Sequence, residues 1–150
     1  MLNDALRKTA GRLDTLEQGR ATEAPGIAQD WTPELWQNNV QLAINLDFAV
    51  YVMIGQLVIV STRFTVNAAG AGGLVEIRGL PYASAYSSIG GEGVVFTGGV
   101  NRVGAARQTA GSSAVVITLD NQASDFGVAP AVALAVGNGI RMDATYFRQL

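Results

Sequence analysis

Two residue types, cysteine and histidine, are absent from this sequence of 150 residues. Their absence excludes disulfides, thiol nucleophiles, zinc sites built from Cys and His, and histidine as a general base. The ligands that remain for a metal are oxygen atoms, and no stretch of the sequence has the clustered spacing of a calcium loop. We therefore expect a protein that needs neither a metal nor another cofactor.

Charge and long apolar runs are scarce as well. The chain has 10 basic and 12 acidic residues, and four of the basic and six of the acidic ones fall within residues 1–35. The sequence therefore lacks the basic footprint of a nucleic-acid-binding protein. No apolar run reaches the roughly 18 residues that span a bilayer, and the first residues lack the apolar core of a secretory signal. The sparsely charged remainder, 36–150, would be poorly soluble alone, which favours a surface covered by partner chains.

The N-terminal segment has the spacing of a coiled coil. Residues 1–20 predict a helix whose a and d positions, spaced 4, 3, 4 and 3, are Leu2, Leu6, Thr9, Leu13 and Leu16. Arg12 and Glu17 would then form an ion pair between parallel helices. The alternative is one amphipathic helix packed on its own head, since the repeat is short and Gly11 weakens it. Leucine at both a and d leaves the oligomer number open.

The remainder of the chain predicts a linker and a β domain. Residues 21–35 contain Pro25, Gly26 and Pro33, which break helices, so we predict a linker there and a head over 36–150. Short alternating runs separated by glycine-rich turns predict an antiparallel β-sandwich of the jelly-roll type. The predicted strands cover 57–66, 74–77, 93–97, 113–119 and 140–147.

Signals of catalysis are weak in this head. The glycine clusters at 68–73 and 90–100 lack the lysine of a P-loop and a following helix, so they indicate hairpin turns. The polar stretch from Asp120 to Asp125 does not have the spacing of an EF-hand and indicates a turn. Glu76, Asp120 and Asp143 occupy positions that predict outward-facing side chains. We therefore expect a protein that is not an enzyme.

Aromatic residues are the better candidates for function. Trp31 and Trp36 flank the start of the head and are expected to seal the edge of its core. Tyr82 and Tyr86 lie in a loop rich in Ser and Ala after Pro81, the composition of many binding loops. The same composition suits a loop buried between subunits, and both alternatives stay open. Two arginines in a second glycine- and alanine-rich stretch are candidates for contacts with anionic sugars, namely Arg102 and Arg107.

Four short elements resemble a known class of proteins. They are WTP at 31–33, the strand pair YVMIGQLV at 51–58, GGLVEIRGLP at 72–81, and DATY at 143–146, an imperfect match to S-G-T-Y. In this order, downstream of a heptad helix, they resemble the C-terminal head modules of bacteriophage tail fibres and related virion attachment proteins. Segment 83–139 matches no element of that class, and this is where recognition loops would vary.

The resemblance implies a homotrimeric head on the virion, at the phage tail, that recognises the host surface. Its partners would be other tail or baseplate proteins and a host-surface glycan or protein, with no nucleic acid and no membrane insertion. The alternative is a trimeric capsid decoration protein. The trailing domain of a polysaccharide-degrading spike is a third interpretation, which 150 residues disfavour because they leave no room for a separate catalytic body.

Overall fold

The computed structural model describes residues 26–119 and 132–150. In this part of the chain ten strands form: β1 (Gln29–Asp30), β2 (Glu34–Gln37), β3 (Val40–Leu42), β4 (Ile44–Ile54), β5 (Leu57–Val66), β6 (Val75–Arg78), β7 (Ser88–Thr97), β8 (Val100–Gln108), β9 (Ala114–Leu119) and β10 (Gly139–Phe147). The predicted coiled-coil positions, Leu2, Leu6, Thr9, Leu13 and Leu16, lie outside the described residues, as does the polar stretch 120–125. The predicted mainly β, antiparallel character is confirmed.

Alternation with a period of two explains why these segments form strands. In β5 every second side chain from Val58 to Val66 is buried, and Arg63 on the opposite face is exposed. β10 alternates in the same way, with Ile140 and Tyr146 among its buried residues. Each strand thus contributes one face to the core and one to the outside. The core cluster draws on both halves of the sheet, including Phe64 and Ile117.

The strands belong to one continuous sheet with the order β1-β4-β5-β10-β7-β8-β9-β6-β2-β3, in which every pairing is antiparallel. The sequence predicted a sandwich of two sheets, and the difference has a physical cause. β10 pairs with β5 on one side and with β7 on the other, so hydrogen bonds connect the two halves of the fold. In a sandwich the two halves would be separate sheets without such a shared strand. The sheet buries its apolar side chains by curling over them.

A single bent hairpin occupies both edges of this sheet. Its inner turn is Asn38-Asn39, with φ values of 48° and 63°, the left-handed conformation that a two-residue type I′ turn requires. One arm runs from β1 into β2, and the other runs from β3 into β4, with Ala43 alone between the two strands. Because β1 pairs with β4 while β2 pairs with β3, the ends of the curled sheet are joined covalently.

The side chain of Gln37 fastens the neighbouring loops at one end of the hairpin. It is buried, its Nε2 donates to the carbonyl oxygens of Val132 (2.7 Å) and Gly73 (3.2 Å), and its Oε1 accepts from the backbone N–H of Leu134 (3.1 Å). A buried amide with donors and acceptor satisfied costs little and fixes a unique arrangement. The segment that leads into β10 is thereby held against β2.

The predicted linker 21–35 needs a correction in its described part. Residues from Gln29 onward already pair in the sheet, and both Trp31 and Leu35 are buried in the core. Pro33 is tolerated because it lies between β1 and β2, where the chain bends and donates no ladder hydrogen bond. The head therefore begins before residue 36. The prediction that tryptophan seals the core is confirmed for Trp31.

Candidate functional site

A surface groove lies where β7 begins and β8 ends. It has a volume of about 380 Å³ and is lined by Ser87, Ser88, Arg107, Gln108 and Thr109. Small-molecule sites generally measure about 300–1,000 Å³, so the groove is large enough to hold a ligand. Its lining residues carry three hydroxyls, an amide and a guanidinium, so the groove offers both hydrogen-bond donors and acceptors beside the apolar parts of these side chains.

A β-bulge shapes this end of the strand pair. The register between β7 and β8 shifts between Ile89 and Gly91, which leaves Gly90 as an extra residue opposite the end of β8. A Cβ atom on Gly90 would collide with the carbonyl oxygen of Thr145 in β10, so a glycine is needed there. Bulges bend a strand and turn its side chains, and they recur beside functional sites. Here the bulge directly follows Ser87 and Ser88 of the groove.

Hydrogen bonds hold the two serines of the groove, whereas one nitrogen of Gln108 has no partner within the described residues. The Ser88 hydroxyl donates to Oε1 of Gln108 at 3.2 Å, and the backbone N–H of Ala110 donates to the Ser87 hydroxyl at 3.1 Å. Gln108 is almost fully buried, and within the described chain its Nε2 has no hydrogen-bond partner. An unsatisfied buried amide costs about 1–3 kcal/mol. Because this Nε2 is itself buried, the groups that a ligand in the groove can reach are the guanidinium of Arg107 and the three hydroxyls.

The loop that carries the two tyrosines is fastened by backbone hydrogen bonds. Ser84 is buried, its N–H donates to the oxygen of Ser112 (2.9 Å), and its own carbonyl accepts from Gly111 (2.7 Å). The next residue, Ala85, donates to the oxygen of Phe147 at the end of β10 (2.7 Å). The loop is therefore anchored to a neighbouring turn and to β10, so a ligand at the groove would meet preformed geometry.

The structure separates the four residues that the sequence singled out for recognition. Arg107 lines the groove, and Tyr86, next to Ser87 in the chain, is exposed. Tyr82 packs against the core instead, in edge contact with Tyr51, with 6.2 Å between the ring centroids. Its ring lies 5.1 Å from the guanidinium carbon of Arg148.

The fourth of these residues, Arg102, does not join the groove. It pairs with the buried Val95, so it lies on the inner face of β8. Arg107 is five residues further along and on the opposite face, about 17 Å away along an extended strand. The two arginines proposed for contacts with anionic sugars therefore lie on opposite faces of β8, and only Arg107 lines the groove.

Four lining residues were missed by the sequence reasoning, namely Ser87, Ser88, Gln108 and Thr109. Small hydroxyl residues and an isolated glutamine carry no motif, and they meet only because β7 and β8 are paired. The serine pair lies within the loop that the sequence favoured. Gln108 and Thr109 gave no signal.

The acidic side chains on the outer face are held by cations. Arg78 forms an ion pair with Glu76 and lies 4.2 Å from the centre of the Trp36 ring. Arg141 lies 2.9 Å from Asp143. The predicted outward orientation of Glu76 and Asp143 agrees with their register. Over 26–119 and 132–150 no group of three or more acidic residues is suited to a metal ion.

The described ranges also contain no helix with the length and hydropathy to cross a membrane. Comparisons of the chain with protein-family models, with curated proteins and with solved structures found no match. The candidate site therefore rests on its own geometry.

Proposed function

We propose that this protein is a non-enzymatic attachment module of a bacteriophage tail fibre that binds a host-surface glycan in the groove between β7 and β8. The observation that carries the proposal is the groove itself, whose lining brings the guanidinium of Arg107 together with the hydroxyls of Ser87, Ser88 and Thr109. The four sequence elements that resemble those of tail-fibre heads support the class of protein. Two of them occupy turns consistent with that resemblance, since Gly55 turns between β4 and β5 and Gly79 ends β6.

The chemistry of the groove favours a sugar with hydroxyl and acidic groups. Guanidinium and amide N–H groups donate to carboxylate or hydroxyl oxygens, and serine and threonine hydroxyls both donate and accept. The exposed ring of Tyr86 beside the groove offers a flat apolar surface on which a sugar face can stack while its hydroxyl stays in water. Because the loop is held by hydrogen bonds and the groove is built on two paired strands, little conformational entropy would be lost on binding.

The module acts as a parallel homotrimer in this proposal. The a and d spacing of Leu2, Leu6, Thr9, Leu13 and Leu16 supplies the association, and three copies of the head would raise the avidity for a repetitive host surface. Trimerisation through this segment also agrees with a head of low charge. The protein would sit at the phage tail, in contact with tail or baseplate proteins. Density at capsid symmetry axes in a virion reconstruction would instead support a decoration protein.

The test compares two groove variants with one matched control. Arg107→Ala and Thr109→Ala should each weaken binding to host cells and to an array of acidic and neutral glycans, by about tenfold for the arginine, because hydrogen bonds of charged groups contribute about 1.5–3 kcal/mol. Arg63→Ala removes an exposed arginine of the same outer face, ion-paired with Asp47 at 3.1 Å and remote from the groove, and should bind normally. Unchanged binding by both groove variants, with folding intact, would refute the proposal.

A further inference from the structure

A continuous uncharged surface covers the outer face of three adjacent strands, β4, β5 and β10, at the end where β4 turns into β5. We call it the apolar face, and its side chains are Val52, Ile54, Leu57, Ile59, Tyr86 and Phe147. Four of them are exposed large hydrophobics, with exposed fractions of 54% for Ile54, 40% for Ile59, 67% for Tyr86 and 50% for Phe147. Exposed apolar residues are ordinary when scattered singly, whereas a contiguous set marks a site of contact.

The strand register shows that these side chains are contiguous. Leu57 is paired with Ile54 on one side and with Phe147 on the other, and Val52 is paired with Ile59. Directly paired residues on one face of a sheet have Cβ atoms about 4.5–5.5 Å apart. The Tyr86 ring extends the row, since its centroid lies 6.4 Å from that of Phe147 in an edge contact.

Further along the same strands the outer face changes its chemistry. Arg63 of β5 forms an ion pair with Asp47, and Arg141 of β10 forms one with Asp143. The outer face of β5 and β10 is therefore charged and solvated at these residues, and the apolar face ends there. Burying the apolar face would therefore remove no charged group from water, whereas the charged part of the same strands is better left exposed.

The chain enters the sheet at this same end. The backbone N–H of Gly26, the first described residue, donates to the carbonyl oxygen of Met53 at 3.1 Å, between Val52 and Ile54 of the apolar face. The first described residue therefore lies at the edge of β4 beside the apolar face, and the predicted leucine seam precedes it in the sequence. A second exposed apolar group, which includes Phe96 and Val103, lies towards the opposite ends of β7 and β8.

We infer that the apolar face is a contact surface between copies of this chain, an inference that rests on the proposed homotrimer. A parallel bundle of the N-terminal segments brings together the ends of the heads at which those segments enter. The surface nearest to that point then meets a neighbouring copy, and here it is apolar and uncharged. Specific interfaces bury about 800 Å² per partner, more than six side chains supply, so the apolar face would be one part of a larger contact between copies. Tyr86 is the member of the apolar face next to the groove, since Ser87 follows it in the chain, so the ligand site would lie beside the neighbouring copy.

Lysine substitutions in the full-length chain test the contact. Ile59→Lys and Phe147→Lys place a charge on the apolar face and should lower the assembled mass measured by light scattering at micromolar concentration. Val103→Lys is the matched control, because Val103 is 45% exposed on the outer face of β8 and belongs to the second apolar group. The control should retain the wild-type mass. Equal masses for the wild type and both lysine variants of the apolar face would overturn the inference.

A second measurement avoids any loss of folding. The chain has no cysteine, so Ile59→Cys and Val103→Cys each carry one thiol, at positions that are 40% and 45% exposed in the single chain. In the assembled wild-type background Ile59→Cys should react with a thiol reagent at least tenfold more slowly than Val103→Cys. Equal rates in a trimer would overturn this inference and leave the proposed trimer intact.

Two further outcomes separate this inference from the proposed function. A protein that is monomeric with a protected Ile59→Cys thiol would show that the chain's own N-terminal segment covers the face, which overturns both the inference and the trimer. A wild-type trimer mass with a protected Ile59→Cys thiol would support the contact between copies. If the groove variants then bound host cells as well as the wild type, the proposed glycan site would be refuted and the contact would stand.

Discussion

The close approach of Gly93 and Ile117 allows a quantitative test of the packing inside the curled sheet. Gly93 is on the inner face of β7, and a Cβ atom at this position would lie 2.7 Å from Cγ1, 2.9 Å from Cδ1 and 2.9 Å from Cγ2 of Ile117 in β9. Gly93 is not among the residues of positive φ, so its backbone tolerates alanine and the obstacle is the isoleucine alone. Ile117 is fully buried and cannot swing into solvent.

The expected energies follow from this geometry. Gly93→Ala overfills the site and should destabilise the fold by about 1–3 kcal/mol. Ile117→Ala removes all three obstructing atoms and leaves a cavity, so alone it should cost about 2–5 kcal/mol. In the double variant the new methyl enters the vacated space, and the total should fall short of the sum of the single effects by at least about 1 kcal/mol.

Urea unfolding followed by tryptophan fluorescence would measure these four stabilities. Gly91→Ala provides the control, because its Cβ would lie 2.6 Å from the Cα of Ala144 and would collide with the backbone of Asp143, obstacles that no side-chain truncation removes. Its cost should therefore add to that of Ile117→Ala. Additive effects for Gly93→Ala with Ile117→Ala, or a neutral Gly93→Ala, would refute the packing described here.

Three other perturbations have definite expected outcomes. Burial, and secondarily the nearby Tyr51, raise the pKa of Tyr146 above its ordinary value of 10. The stability that this shift contributes is therefore complete below pH 10 and is lost at higher pH, where the phenol ionises in the unfolded chain before it does so in the folded one. Tyr146→Phe should reduce this loss of stability at alkaline pH, measured by urea titrations. If the proposed trimer forms through the leucine seam, Leu6→Asp with Leu13→Asp should lower the assembled mass in light scattering, since each of the two layers would bury three acidic groups. Asn39→Val forces a β-branched residue into a φ of 63° and should cost about 1–2 kcal/mol in thermal melts, whereas Asn39→Gly should cost much less.

The strands that could be predicted from the sequence are those that bury large apolar side chains on one face only. β5 matches the predicted 57–66, and β10 extends the predicted 140–147 by one residue. β8 was missed because its inner positions include Gly104 and Ala106, which give no hydrophobic alternation although Ala106 is buried. Small residues pack there against neighbouring strands, and only the tertiary pairing shows that these residues form a strand.

The site was predictable by residue type more than by position. Tyr86 and Arg107 could be named because a rigid ring and a guanidinium in a loop region favour binding. The separation of Arg107 from Arg102 could not be foreseen because β8 was not predicted as a strand, and it is the strand that places residues five apart on opposite faces. The bulge at Gly90 shifts the pairing of β7 with β8 beside the groove, and it could not be predicted because a glycine in sequence does not distinguish a bulge from a turn.

The bent hairpin has a consequence for how this chain avoids fibrous aggregation. Unpaired strand edges act as templates for other chains, and a protein with few charges has little else to repel them. At the edges of the described sheet lie β1, of two residues, and β3, of three residues, each continued by the same chain into another strand. The longest strands all lie in the interior of the sheet order. The described sheet therefore offers little strand edge from which backbone ladders between copies, which grow without limit, could start.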